Sequence, residues 1–158
     1  FWSRIEPVLK ENGSHLRFET VPGQNYPDKW LASGVNDSIR FLRYTIGEYF
    51  KPHLDGARII DEKNERSFLS VLIYLNSSQT NNNNQEEYEN NEHEMITFNG
   101  GATIFHPMRG NFEKRKVNPQ AGDVLIFDHN LYHEGEEILS GYKYAIRTDI
   151  IFKRVTDT

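Results

Sequence analysis

The chain has 158 residues, a formal net charge of −5 and a pI near 5.7, which suits one domain built around one core. The acidic balance argues against a nucleic-acid binder that works through a basic surface, and no apolar run is long enough to cross a bilayer. Zero cysteines exclude disulfides, thiolate metal sites and cysteine nucleophiles.

The first forty residues predict one helix and one loop. Apolar residues at positions 2, 5, 8 and 9 have helical spacing and predict a supporting N-terminal helix that ends near Asn12. Residues 19–38 are rich in turn formers and predict a long loop that carries Tyr26 and Trp30. Because loops of this length are commonly lids or binding loops, this one is a candidate cover for a substrate. An equally good interpretation is a poorly ordered connection whose aromatic residues attach it to the core.

Strand signals dominate the rest of the chain. They lie at residues 38–46, 51–60, 67–76, 102–107, 123–128 and 142–152. The third is apolar on both faces, as expected for a strand buried between two layers. Short strands separated by turns predict a mainly β domain, a sandwich or jelly roll. The polar run at 77–96 has too few apolar residues to fold alone and predicts a flexible insertion within this single domain of residues 1–158.

The stretch KPHLDG at positions 51–56 is a candidate metal site. Residues i and i+2 of a strand project from the same face, so His53 and Asp55 would point into one space. An isolated pair of this kind is more often a surface pair, and a metal site needs a third ligand. We expect the histidines at 15 and 93 to be solvated and the one at 106 to be structural. That leaves His129 and His133, which both follow the strand at 123–128.

Five segments of the chain are, in order, RYTIGEYFKPHLDG, IYLN, GGATIF, AGDVLIF and YHEGEEILSGYKYAIRTD. They resemble successive strands of the prolyl 4-hydroxylase-like Fe(II)/2-oxoglutarate dioxygenases. The resemblance spans roughly residues 38–152 and implies a double-stranded β-helix, a cupin-like jelly roll whose two sheets form a cleft. It implies that His53, Asp55 and His133 bind Fe(II) as a facial triad of two histidines and one carboxylate. Such a triad leaves three coordination positions open.

The resemblance also implies where 2-oxoglutarate binds. Lys143, ten residues after His133, matches the lysine that binds the far carboxylate of this co-substrate. Tyr74 matches a tyrosine that donates its hydroxyl to the same carboxylate. Tyr44 matches a tyrosine that lines the pocket beside the chelating end, although a core aromatic is an equally good interpretation.

Two further positions bear on the site. Arg147 shares a strand face with Lys143 and is expected to be a second contact for the co-substrate, with an ion pair to Asp149 as the structural alternative. Phe50 stands where animal and plant relatives commonly have tyrosine, so substrate contacts do not transfer in detail.

The implied reaction is hydroxylation of a C–H bond with 2-oxoglutarate and O2, giving succinate and CO2, with ascorbate as a supporting reductant. The favoured substrate is a peptidyl proline in a protein or peptide, with no nucleic-acid or membrane partner. One alternative is an oxygenase that acts on a small molecule or a non-proline residue, and another is a non-catalytic cupin-like metal-binding module. No signal-peptide pattern opens the chain, and we expect a cytoplasmic or nuclear location.

Overall fold

A computed structural model describes residues 29–60, 62, 64–79, 97–107 and 113–155, together with positions 3, 7, 17 and 18. The strands in these residues are β1 (Arg17–Phe18), β2 (Lys29–Val35), β3 (Arg40–Tyr44), β4 (Phe50–His53), β5 (Ile59–Ile60), β6 (Glu65–Tyr74), β7 (Asn99–Gly100), β8 (Thr103–Phe105), β9 (Arg115–Val117), β10 (Val124–Asp128), β11 (His133–Gly135), β12 (Ile138–Ser140) and β13 (Lys143–Val155).

The larger sheet is built around β13. Its strand order is β1-β2-β13-β6-β10, with β3 also paired to β13 and β5 to β6. β13 pairs with β3 along Lys143–Arg147 and with β2 along Ile150–Val155, while β6 lies along its other side. The smaller sheet has the order β4-β11-β8-β9, and β12 pairs with β7 alone.

The larger sheet and the smaller sheet face each other. The ring of Phe127 on β10 lies 5.2 Å from the ring of Phe105 on β8, measured between centroids. The hydroxyls of Tyr74 on β6 and Thr103 on β8 are hydrogen-bonded at 2.8 Å. These contacts join one sheet to the other, so the predicted β-sandwich is confirmed.

The core lies where β6 and β13 run side by side. Its buried cluster consists of Phe68, Leu69, Val71, Ile150 and Phe152. All residues from Ser67 to Val71 are buried, so both faces of β6 are covered, as the apolar sequence of this strand predicts. Burial of side chains of this size contributes about 1.5–3 kcal/mol each, and this cluster holds the larger sheet in place.

The prediction of a loop across residues 19–38 is wrong for its second half. Lys29–Val35 forms β2, which pairs with β13, and the ring of Trp30 packs edge-on against Phe68 at 5.4 Å. Ala32, Ser33 and Gly34 have weak strand propensity, so the local signal is poor and the pairing with β13 decides the conformation. Trp30 therefore packs against the core rather than forming part of a lid, and Tyr26 lies outside the described residues.

The strand predicted across residues 51–60 is two short strands. β4 ends at His53 and β5 begins at Ile59, with irregular backbone between them. Of the predicted N-terminal helix, the described residues include only positions 3 and 7, which are both helical, and residues 80–96 of the predicted insertion lie outside the described residues. At the start of that insertion, Ser78 is buried, forms a bridge with Phe98 and donates its hydroxyl to the carbonyl of Gly100. In the part of the chain that the structure describes, no helix is long and apolar enough to span a bilayer.

Candidate metal centre

The two histidines of the predicted triad lie directly opposite each other on neighbouring strands. His53 ends β4, His133 begins β11, and the two residues are partners in the antiparallel register. Directly opposite residues project from the same face of a sheet, and the centroids of the two imidazoles are 4.3 Å apart. Strand pairing therefore brings together two residues that are eighty positions apart in the sequence.

Asp55 completes the group from just beyond β4. Its backbone N–H donates to the carbonyl of His129 at 3.1 Å, which holds the segment after β4 against the β10–β11 loop. One carboxylate oxygen lies 3.4 Å from Nε2 of His53 and the other lies 3.9 Å from Nε2 of His133. One ligand atom from each of the three residues lies within 4.8 Å of the others, a spacing that could hold a metal ion.

Both imidazoles are oriented by the backbone of their own segments. Nδ1 of His53 lies 2.8 Å from the carbonyl of Lys51, and Nδ1 of His133 lies 2.8 Å from the carbonyl of Leu131. Because a carbonyl only accepts, Nδ1 is the protonated nitrogen in both rings and the Nε2 lone pair faces Asp55. Burial lowers the pKa of His133, which favours the neutral form that a metal requires.

Asp55 is held as a carboxylate. Burial alone would raise its pKa, but the hydrogen bond from Ser70 and the guanidinium of Arg147 outweigh burial, and the pKa of Asp55 lies below its usual value. The hydroxyl of Ser70 donates to Oδ2, and Nη2 of Arg147 lies 2.9 Å from Oδ1. An ionised carboxylate beside two imidazoles whose Nε2 atoms face it is the donor set of a two-histidine, one-carboxylate iron site, so the residues fit Fe(II).

A cleft of about 390 Å³ opens beside this group, between the two sheets. Lys143, at the first position of β13, lies buried in its wall. Its Nζ donates to the carbonyl of Gly101 at 2.6 Å and lies 5.4 Å from the ring centroid of Tyr74 and 5.7 Å from that of Tyr44. Burial lowers the pKa of Lys143 to about 8, because the ammonium is poorly solvated there.

The two predicted tyrosines lie beside this lysine. The Tyr74 hydroxyl is buried against Thr103, and burial raises the pKa of Tyr74 to about 12, so it remains a hydrogen-bond donor. Tyr44 is the register partner of Lys143 on β3 and lines the same cleft; burial raises its pKa as well. The ring of Tyr74 beside Lys143 is the arrangement that the resemblance implies. The resemblance implies Tyr44 beside the chelating end, whereas the structure places its ring 5.7 Å from Nζ of Lys143.

Arg147 lies at the metal end of the cleft. Its Nη2 is 2.9 Å from Asp55 and 3.6 Å from Asp149, which is the ion pair expected as the structural alternative. Of the histidines outside the triad, His129 is buried with Nε2 3.5 Å from Asp149, and His106 lies 3.2 Å from Glu134. The open choice between His129 and His133 is thus decided geometrically for His133.

Two contacts of the site were missed by sequence reasoning. Ser70 bonds the candidate ligand Asp55, and Thr103 bonds Tyr74. A signal for Ser70 exists, since it is a polar residue in the apolar run FLSVLIY and a buried hydroxyl needs a partner. The identity of its partner required the fold.

Residues 39–148 match a family model described as "2OG-Fe(II) oxygenase superfamily". The chain belongs to this superfamily. Among solved structures, this superfamily member is similar to a Pseudomonas putida prolyl-4-hydroxylase, with 18% identity over 75% of this chain and 53% of that one, and a TM-score of 0.50. It is also similar to a truncated viral collagen prolyl hydroxylase from Paramecium bursaria Chlorella virus-1, with 17% identity, 98% and 67% coverage, and a TM-score of 0.53.

These similarities confirm the predicted double-stranded β-helix as the fold of the oxygenase-superfamily chain. The chain spans about half the length of the Pseudomonas putida structure. No curated protein matches the sequence.

Proposed function

We propose that this protein is an Fe(II)- and 2-oxoglutarate-dependent dioxygenase that hydroxylates a C–H bond. The observation that carries the proposal is the combination of a three-residue metal group and a buried lysine in one cleft. A module that only binds metal has no use for a buried ammonium, whose desolvation costs free energy unless an anion is bound beside it. A dicarboxylate that reaches from the metal to Lys143 would supply that anion.

Five residues of the cleft have a role in the proposal. His53, Asp55 and His133 would hold Fe(II) and leave three coordination positions for the oxo acid and dioxygen. Lys143 would bind the far carboxylate, and the Tyr74 hydroxyl would donate to the same group.

When bound, Fe(II) and 2-oxoglutarate supply the oxidising chemistry that consumes O2, releases succinate and CO2 and places a hydroxyl on carbon, with ascorbate as a supporting reductant. The chain contributes orientation and exclusion of water. Phe127, Leu72 and Ile138 line the cleft between the sheets, so its walls are apolar around a few polar groups, as in other small-molecule sites.

The finer proposal is that the substrate is a peptidyl proline. Both similar structures are described as prolyl hydroxylases. Tyr49 and Phe50 line the cleft and are more than half exposed, and the Phe50 ring lies 4.0 Å from that of His53. An exposed aromatic rim next to the metal offers a peptide a surface on which to pack a proline ring.

The decisive experiment is a turnover assay with Fe(II), ascorbate, 2-oxoglutarate and O2, in which succinate is measured. His53→Ala and His133→Ala should abolish succinate formation while circular dichroism shows an intact fold, and His106→Ala, which changes a histidine outside the triad, is the matched control. Wild-type protein that binds metal but forms no succinate under any condition would support the non-catalytic module instead.

Lys143 is tested through the requirement for 2-oxoglutarate. Lys143→Ala removes a charged hydrogen bond worth about 1.5–3 kcal/mol, so the 2-oxoglutarate concentration for half-maximal turnover should rise at least about tenfold. Lys143→Arg keeps the charge and should lose less. An unchanged requirement in Lys143→Ala would remove the lysine from the site.

The substrate is tested by mass spectrometry on proline-containing peptides, matched peptides with alanine at each proline, and a metabolite panel. Hydroxylation confined to the proline peptides would support the finer proposal. A hydroxylated metabolite or non-proline residue would favour the alternative oxygenase. The proposed Fe(II)- and 2-oxoglutarate-dependent dioxygenase activity would still hold.

A further inference from the structure

Both oxygens of the Asp55 carboxylate are occupied by donors from the larger sheet. Arg147 on β13 donates to Oδ1 at 2.9 Å, and Ser70 on β6 donates its hydroxyl to Oδ2. The Asp55 side chain is 6% exposed, so water competes little for either oxygen. The candidate ligand from the segment after β4 is therefore oriented by side chains of the opposite sheet.

Arg147 is itself held in place. Its Nη2 lies 3.6 Å from Oδ1 of Asp149, two residues along the same face of β13. Asp149 accepts a hydrogen bond from the Asn36 amide at 3.2 Å and lies 3.5 Å from Nε2 of His129. The neighbouring imidazole of His129, the hydrogen bond from Asn36 and the guanidinium of Arg147 outweigh burial and keep the pKa of Asp149 below its usual value, so the guanidinium lies between two carboxylates.

We propose that Arg147 is a positioning residue that makes Asp55 a one-oxygen ligand of the metal. This inference rests on the proposed function. A carboxylate can bind a metal through one oxygen or chelate it through both. Donors on Oδ1 and Oδ2 together fix the carboxylate plane and disfavour chelation. A one-oxygen ligand keeps three of six coordination positions open, as the proposed reaction requires.

The position of Arg147 along β13 separates this role from that of a second co-substrate contact. Arg147 and Lys143 are four residues apart on one strand, which corresponds to about 13 Å between their Cα atoms. Lys143 lies against Gly101, Tyr74 and Tyr44, whereas Arg147 lies against Asp55. The two cations thus lie at different ends of the cleft.

The test is a Co(II) titration followed by visible absorbance, with Arg147→Met compared with Arg40→Met. Arg40 is the register partner of Arg147 on β3 and lines the same cleft, so the control removes an equal charge from nearly the same place. Loss of an outer partner of a metal ligand weakens metal binding about 10–100-fold, which we expect for Arg147→Met. Arg40→Met should bind Co(II) as tightly as wild type or more tightly, because it removes only a charge.

The direction of the change in Co(II) affinity separates positioning from simple removal of charge. A cation near a metal ion repels it, so removal of charge alone would strengthen Co(II) binding in both variants. Weaker binding in Arg147→Met only is therefore the mark of positioning. Equal or tighter binding in Arg147→Met would overturn the proposal.

A second readout is the number of water molecules on bound Mn(II), measured by water-proton relaxation. Arg147→Met frees Oδ1 of Asp55 to chelate, so the number of bound waters should fall relative to wild type and Arg40→Met. An unchanged number would also overturn the proposal. Should Arg147→Met fail to fold, Arg147→Lys serves: lysine keeps the charge but lacks the planar fork of donors, and positioning predicts weaker Co(II) binding for it as well.

The competing role has its own signature. Were Arg147 a co-substrate contact, Arg147→Met would leave Co(II) affinity unchanged and weaken 2-oxoglutarate binding to the Co(II)-loaded protein, which overturns the proposal. Failure of the proposed function looks different, because wild-type protein would then form no succinate whatever the Co(II) affinity of Arg147→Met.

Discussion

Each triad histidine donates Nδ1–H to a carbonyl two residues earlier in its own segment, Lys51 for His53 and Leu131 for His133. The ring orientation is thus set by backbone that the strand pairing already fixes, and no additional side chain is needed for it. The two histidines differ in this respect from Asp55, whose orientation depends on Ser70 and Arg147 in the other sheet. At the scale of single residues, the carboxylate is the ligand most open to adjustment by substitution.

Lys143 gives a prediction about stability and pH. Its pKa in the folded protein is about 8, below the 10.5 of a free lysine. Below pH 8 both states hold the proton and the folded state carries the full cost of the buried ammonium. Between pH 8 and 10.5 only the unfolded state keeps the proton, so folding stability increases with pH in this window. The cost of Lys143 is therefore largest at neutral pH.

The measurement is urea unfolding of wild type and Lys143→Met at pH 7.0 and pH 9.5, without co-substrate. The free energy of unfolding of wild type minus that of the variant should rise by about 2 kcal/mol between the two pH values. Lys153→Met, which changes an exposed lysine of the same strand, is the control for loss of a lysine at the surface. A difference that does not change with pH would contradict the burial of Lys143 as a cation.

At the residue scale, the site residues that could be predicted from the sequence are those that lie in motifs. The positions of His53, Asp55, His133 and Lys143 could be taken from ordered segments that resemble a family, and the structure brings all four to one cleft. Ser70 and the contact of Arg147 with Asp55 could not be predicted in this way. They depend on the register of β6 and β13 beside the end of β4, which no local pattern in the sequence encodes.

At the scale of elements, the turn before β8 fixes the lysine. Gly100 and Gly101 both have positive φ, 78° and 69°, a region that side chains with a Cβ rarely occupy. The carbonyl of Gly101 accepts the hydrogen bond from Lys143. The left-handed backbone at the two glycines thus positions an acceptor for the candidate co-substrate lysine.

Gly101→Ala should therefore be strongly destabilising. Its Cβ would lie 2.5 Å from Cδ1 of Ile138 and 2.8 Å from Cε2 of Phe98, and the positive φ adds backbone strain, for a combined cost of about 3 kcal/mol. The free energy of unfolding in urea measures it. Gly34→Ala is the control, because a Cβ there meets nothing within 4 Å; equal effects of the two substitutions would contradict the prediction.

Strands were predicted correctly where the apolar side chains of a segment match its burial. Prediction failed where pairing with a neighbouring strand alone decides the conformation of the segment. The sequence predicts β6, β10 and β13, whose apolar residues are mostly buried or half-buried. β2, with the sequence KWLASGV, is stabilised by its hydrogen bonds to β13 rather than by its composition. Turn-rich composition is therefore a weak argument for a loop when a long neighbouring strand has a free edge.

At the scale of the whole molecule, the metal group lies where the two sheets meet. His53 and His133 belong to the smaller sheet, and the partners of Asp55 belong to the larger one. A bound ion would therefore connect the two sheets through three ligands. Since the unfolded chain does not assemble these ligands, binding stabilises the folded state.

The prediction is a rise in stability when metal is added. At a free Co(II) concentration of one hundred times its dissociation constant, the free energy of unfolding should rise by about 2.7 kcal/mol. Thermal unfolding with Co(II) and with excess chelator measures the difference, and His133→Ala should remove it. A rise that persists in His133→Ala would mean that the ion binds elsewhere.

β13 contributes residues to both the cleft and the core. Lys143 and Arg147 line the cleft from its first half, and Ile150 and Phe152 belong to the core cluster from its second half. Because side chains alternate along a strand, one inserted residue between Arg147 and Ile150 would turn the first half over relative to the second. Homologous domains that keep this chemistry should therefore differ here by substitution and never by a single-residue insertion or deletion.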